Sequence, residues 1–138
     1  MPTVIGILLA SAIVALGRIA GLDRDRAYYP VALIIIGSYY VLFAIMVGDR
    51  AALVGELIFA GFFATIAVVG FRISLWIVAI GMAMHGVFDF TRDLFLPGSG
   101  VPPWWPAFCG SIDIALAFAL AALLLLGRSV SVPARDAS

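Results

Sequence analysis

The segment Leu75-Trp76-Ile77-Val78-Ala79-Ile80-Gly81-Met82-Ala83-Met84 runs on into His85-Gly86-Val87-Phe88-Asp89-Phe90-Thr91-Arg92-Asp93, so an apolar run acquires four ionisable side chains within nine positions. Read as a helix, it sets His85, Asp89 and Arg92 at i, i+4 and i+7 on one face, with Asp93 a little around the cylinder. A face of that kind on a helix of membrane length has to meet other polar groups. The segment therefore marks both a span and the candidate site.

The rest of the chain is equally apolar: 64% of its residues are hydrophobic and 12% charged, with a mean hydropathy of +1.19. A soluble protein has about half apolar and a quarter charged residues. The sequence thus predicts an all-α integral membrane protein. Its 138 residues hold no more than about six spans of ~20 residues, which leaves no separate soluble domain. The net charge is zero and all eight basic residues are scattered arginines, so nucleic acid is not an expected partner. Cys109 is the only cysteine, which excludes an internal disulfide and any Cys/His zinc-finger spacing, and its expected role is packing. Met1-Pro2-Thr3 lacks a basic n-region, so the first apolar run reads as an uncleaved helix.

In chain order, five transmembrane helices are expected at about 3-20, 27-47, 51-71, 75-94 and 107-126, as one compact bundle over residues 1-127 followed by a disordered cytoplasmic tail, 128-138. Tyr28 and Tyr29 suit the interface at the start of the second span. The longest connection, Leu96 to Pro106, is rich in proline and glycine, and Trp104 and Trp105 within it read as headgroup anchors or as a lid. Ala44 with Gly48 and Ala51 with Gly55 are expected close-packing positions.

Arginine placement sets the orientation. Arg18, Arg24, Arg26, Arg72, Arg128 and Arg135 fall on one side and only Arg50 and Arg92 on the other, so the former side is expected in the cytoplasm, with the N-terminus out and the C-terminus in. At about 1.5 Å per residue, Glu56 then lies about 7 Å and Asp113 about 9 Å below the outer ends of their spans. His85 and Asp89 fall at comparable depth. Arg92 and Asp93 lie beyond this layer and are expected to need water directly.

A charge near the bilayer centre costs roughly 2.5 to 3.5 kcal/mol on insertion scales. Glu56, His85, Asp89 and Asp113 should therefore face one another, and the expectation is an outward-opening polar pocket in which these four are acid/base candidates. Tyr39, Tyr40, Arg92, Trp104 and Trp105 are its candidate ligand-binding residues. The competing account makes the polar groups helix-packing contacts, with Asp89 paired to Arg92, His85 donating to a carboxylate and Glu56 neutralising Arg50.

His85-Gly86-Val87-Phe88-Asp89 and Gly100-Val101-Pro102-Pro103-Trp104-Trp105-Pro106-Ala107-Phe108-Cys109 together resemble a set of small bacterial inner-membrane proteins to which no activity is attached. The resemblance covers about a quarter of the chain. It implies a bacterial inner (cell) membrane setting and one shared site containing His85, Asp89 and Asp113. In layout the chain is also similar to small helical-bundle sterol isomerases and lipid-binding relatives, which place acids and histidine in a membrane cavity.

The first functional expectation is binding of a lipid-like or small amphiphilic molecule, with acid/base chemistry by the buried carboxylates and His85 as an option. A non-catalytic subunit or assembly factor of a larger membrane complex comes second. A metal-dependent enzyme using His85, Asp89, Asp113 and Glu56 comes third, although no cofactor is required by the sequence. A proton-coupled transporter comes last, since it would need a homo-oligomer of a chain without internal repeats.

Overall fold

The computed structural model describes residues 1–96 and 100–127. Their elements are five α-helices, α1 (Pro2–Ala20), α2 (Tyr28–Val47), α3 (Arg50–Arg72), α4 (Leu75–Thr91) and α5 (Trp105–Leu125), with short 3-10 turns at Leu22–Arg24 and Arg92–Leu94. No strand occurs among the described residues. The expected cytoplasmic tail, 128-138, with Arg128 and Arg135, lies outside the described residues, as do positions 97–99 of the long connection.

Local chemistry explains the helix ends. Gly21 and Gly48 terminate α1 and α2 in the left-handed region, at φ 72° and 70°, where a side chain would be strained. Asp49 opens α3 by accepting from the Ala52 amide at 3.0 Å, and Ser74 opens α4 by accepting from the Trp76 amide at 3.3 Å, each satisfying an otherwise orphaned donor. The expected start of the last helix is corrected: α5 begins at Trp105 instead of 107, with Pro106 in its first turn, where a missing N–H costs nothing. Trp105 therefore belongs to a helix. The fourth helix also departs from a uniform run to 94, because its α-helical part stops at Thr91 and tightens into the 3-10 turn that carries Arg92.

Four helices, α1, α2, α3 and α5, are long and apolar enough to cross a membrane. The surface agrees with that solvent. Leu8, Ile35, Ile45, Ile58, Phe118 and Leu125 all point outward. Outward hydroxyls hide their polarity by bonding back to their own helix: Ser38 donates to the Ile35 carbonyl at 2.7 Å, Thr65 to Gly61 at 2.8 Å and Thr91 to Val87 at 2.9 Å.

Around the bundle α5 packs between α1 and α4, and α3 between α2 and α4, while α2 also reaches α4 and α5 across the interior. Leu33, Val78, Met82, Leu116 and Leu120 fill the core. α4 crosses α5 closely. A Cβ added to Gly86 would lie 3.0 Å from the Gly110 carbonyl oxygen, and one on Gly110 would lie 3.0 Å from the Gly86 carbonyl. Bare backbone faces bare backbone there, and the expected small-residue positions Ala44/Gly48 and Ala51/Gly55 do not make this contact.

Candidate functional site

His85 and Asp89 stand one turn apart on the inner face of α4, and Asp113 stands one turn beyond Gly110 on α5. The Gly86–Gly110 crossing thus draws the two helices together at the level of these side chains. His85 Nδ1 lies 2.6 Å from Asp113 Oδ2, a hydrogen bond whose proton sits on the ring or on the acid according to tautomer. Asp89 Oδ1 is 3.7 Å from the same nitrogen, too far for a hydrogen bond but within ion-pair reach. All three side chains are at most 1% exposed. Both oxygens of Asp89 and Oδ1 of Asp113 are buried without a hydrogen-bond partner, as is the Tyr40 hydroxyl. The Tyr40 hydroxyl and the Cys109 thiol are among the polar groups that face Asp89.

Aromatic rings enclose the imidazole. Phe63 from α3 meets it edge-on at 4.6 Å between centroids, Phe88 lies at 5.9 Å and Tyr40 from α2 at 6.4 Å. On the remaining side Gly37 leaves room, since a Cβ there would sit 3.8 Å from His85 Nε2 in ordinary contact.

One turn past Asp89, Arg92 turns inward. Its side chain is 1% exposed, so the expectation that it needs water directly is corrected; Asp93, at 78%, does face outward. Arg92 Nε donates to Glu56 Oε1 at 3.0 Å, and Nη2 makes a second ion pair with the same oxygen. Nη1 donates to Asp93 Oδ1 at 3.1 Å. The guanidinium carbon lies 4.6 Å above the Tyr40 ring, within cation–π range. Two pairings of the packing account are overturned accordingly: Glu56 joins Arg92 instead of Arg50, and Asp89 accepts no hydrogen bond from Arg92. The third, His85 against a carboxylate, is present.

The structure thus brings His85, Asp89 and Asp113 into one centre and Glu56 with Arg92 into a neighbouring pair, with Tyr40 between the two. It does not bring in Tyr39, Trp104 or Trp105. Tyr39 is half-buried against Trp105, at 5.3 Å, and Trp105 also meets Phe43 at 5.0 Å and Trp104 at 5.6 Å edge to face, in an aromatic cluster at the start of α5. Trp104 is half-exposed, as an anchor would be.

The cavity also differs from the expected outward-opening polar pocket. The four ionisable groups assigned to that pocket are buried, whereas a cavity of about 580 Å³ lies on the flank of the bundle and is apolar, with Phe59, Phe62, Phe63, Met84, Val87 and Phe88 among its walls. Phe63 and Phe88 form both its inner wall and the aromatic cover of His85. Sequence reasoning missed these two rings and the glycine crossing. Gly86 beside His85 and Gly110 three residues before Asp113 were the available signal, because glycine next to an ionisable group in an apolar span marks a close helix approach. No family model, curated protein or solved structure matches this chain.

Proposed function

We propose that the protein crosses the membrane five times, with its N-terminus outside and C-terminus inside, and binds a lipid-like or small amphiphilic molecule along the α3–α4 flank, next to its buried polar centre. In this reading α4 is the fifth span, lengthened by its 3-10 turn to Leu94, and the arginine bias supplies the orientation. The observation that carries the ligand reading is the shared wall: Phe63 and Phe88 line the apolar cavity on one side and touch the His85 ring on the other. Acyl chains gain little from leaving lipid for an apolar groove, because the two surroundings are equally apolar. Selectivity then has to come from the fit of the groove and from a polar group that reaches past the two phenylalanines toward His85.

Native mass spectrometry of the full chain released from nanodiscs tests this. Wild type should retain a defined lipid-sized adduct. Met84→Trp and Val87→Trp, which fill the groove from exposed positions, should lower its occupancy at least ~5-fold, an amount worth about 1 kcal/mol. Absence of any adduct on wild type, or equal adducts on all three proteins, would refute the reading.

A further inference from the structure

We infer that His85, Asp89 and Asp113 form a binding site for one divalent transition-metal ion. The inference does not rest on the flank reading, since it concerns the interior face of α4 and α5.

One donor atom from each of the three residues lies within 4.8 Å of the others. Donors bound about 2.0–2.2 Å from an ion stand roughly 3–4 Å apart, so the set needs only a small contraction around the ion, with the His85–Asp113 hydrogen bond giving way to ligation. Hydrogen bonding inside the cluster leaves much of it unanswered. Both Asp89 oxygens and Asp113 Oδ1 are buried with no hydrogen-bond partner, on side chains at most 1% exposed. A carboxyl group buried in such surroundings is paired, coordinates a metal or takes up a proton, and only the first two leave it a carboxylate.

Charge balance points to a divalent ion. Glu56 and Arg92 neutralise each other as an adjacent ion pair, which leaves two carboxylates and one imidazole. A neutral imidazole and two carboxylates carry a charge of −2 between them, which one divalent cation cancels. One nitrogen and carboxylate oxygens suit Zn²⁺, Mn²⁺ or Fe²⁺ better than Mg²⁺ or Ca²⁺, which prefer oxygen alone. Three protein donors leave a coordination position open for water or another ligand. The Tyr40 hydroxyl, itself buried without a partner and facing Asp89, is placed to hold that carboxylate in orientation as an outer-shell donor.

The test uses the full chain in detergent, stripped with chelator, reloaded with Zn²⁺ or Co²⁺ and desalted. Elemental analysis should find about one Zn²⁺ per wild-type chain, and Co²⁺ should give ligand-field absorption of a nitrogen–oxygen site. Asp89→Asn and Asp113→Asn should weaken Zn²⁺ affinity at least ~10-fold, and Zn²⁺ should raise the melting temperature of wild type but not of these variants. Asp93→Asn, at an exposed carboxylate, should bind as wild type does. Substoichiometric Zn²⁺ on folded wild type, or retention unchanged in folded Asp89→Asn and Asp113→Asn, would overturn the site. If the variants fail to fold, the wild-type Co²⁺ spectrum decides: ligand-field bands stronger than and shifted from those of aqueous Co²⁺ support the site, and a spectrum identical to the weak one of aqueous Co²⁺ rejects it.

Discussion

A guanidinium with 1% of its side chain exposed needs partners in an apolar bundle, and among those it has are an anion and an aromatic face. Arg92 has both, in Glu56 and the Tyr40 ring. Breaking such a pair from one side strands a buried charge at a cost of about 3–5 kcal/mol, whereas replacing both partners with apolar groups of similar shape is close to neutral. Glu56→Met and Arg92→Met are therefore each expected to lower the midpoint of SDS-induced unfolding strongly, and the double variant Glu56→Met/Arg92→Met to recover most of the loss. Additive losses in the double variant would show that the two do not act as a pair. At this scale the sequence identified the participants but not their pairing. His85 and Asp89 share a face because they lie on one helix four residues apart, while the partner of Glu56 is set by how far α3 is rotated toward the end of α4.

At the scale of the element, the centre depends on how closely α4 and α5 approach. Gly86 and Gly110 meet backbone to backbone, and any side chain there pushes apart the helices that carry His85 and Asp113. Gly86→Leu and Gly110→Val are expected to destabilise the bundle by about 2–3 kcal/mol, in the range of overpacked cores, and to separate the two polar partners. Gly61→Ala is the contrast: nothing lies within 4 Å of a Cβ built there, so the substitution should be neutral or stabilising by up to roughly 1 kcal/mol. Paired measurements of unfolding free energy check the expectation, and equal effects at Gly86 and Gly61 would remove the crossing from the account. The helices themselves were legible because apolar runs of span length separated by Gly, Asp and Arg turns admit few other readings. The ends were less so. Trp105 and Pro106 look like loop residues in sequence, yet a proline is at ease in a first turn.

For the whole molecule, the proposed orientation follows from arginines at the two ends of the bundle. Arg18 and Arg26 are tied into one end, through an ion pair to Asp23 at 2.8 Å and a hydrogen bond to the Phe71 carbonyl at 2.5 Å. On a Cys109→Ser background, a cysteine at Asp25 should be labelled by a membrane-impermeant maleimide only from the cytoplasmic side, and one at the exposed Asp93 position only from outside. The reverse pattern would invert the topology and place the polar centre nearer the cytoplasm.

Composition, hydrophobic run lengths and turn residues were sufficient for the helical class, the approximate helix bounds and the presence of ionisable groups within apolar helices. These are properties of single segments facing a solvent, and each segment carries them on its own. Only the tertiary structure decided that Asp113 meets His85, that Arg92 folds inward onto Glu56, and that the cavity opens on an apolar flank. Those outcomes depend on the rotation and spacing of neighbouring helices, which are set by contacts such as Gly86 against Gly110 between residues 24 positions apart in the chain.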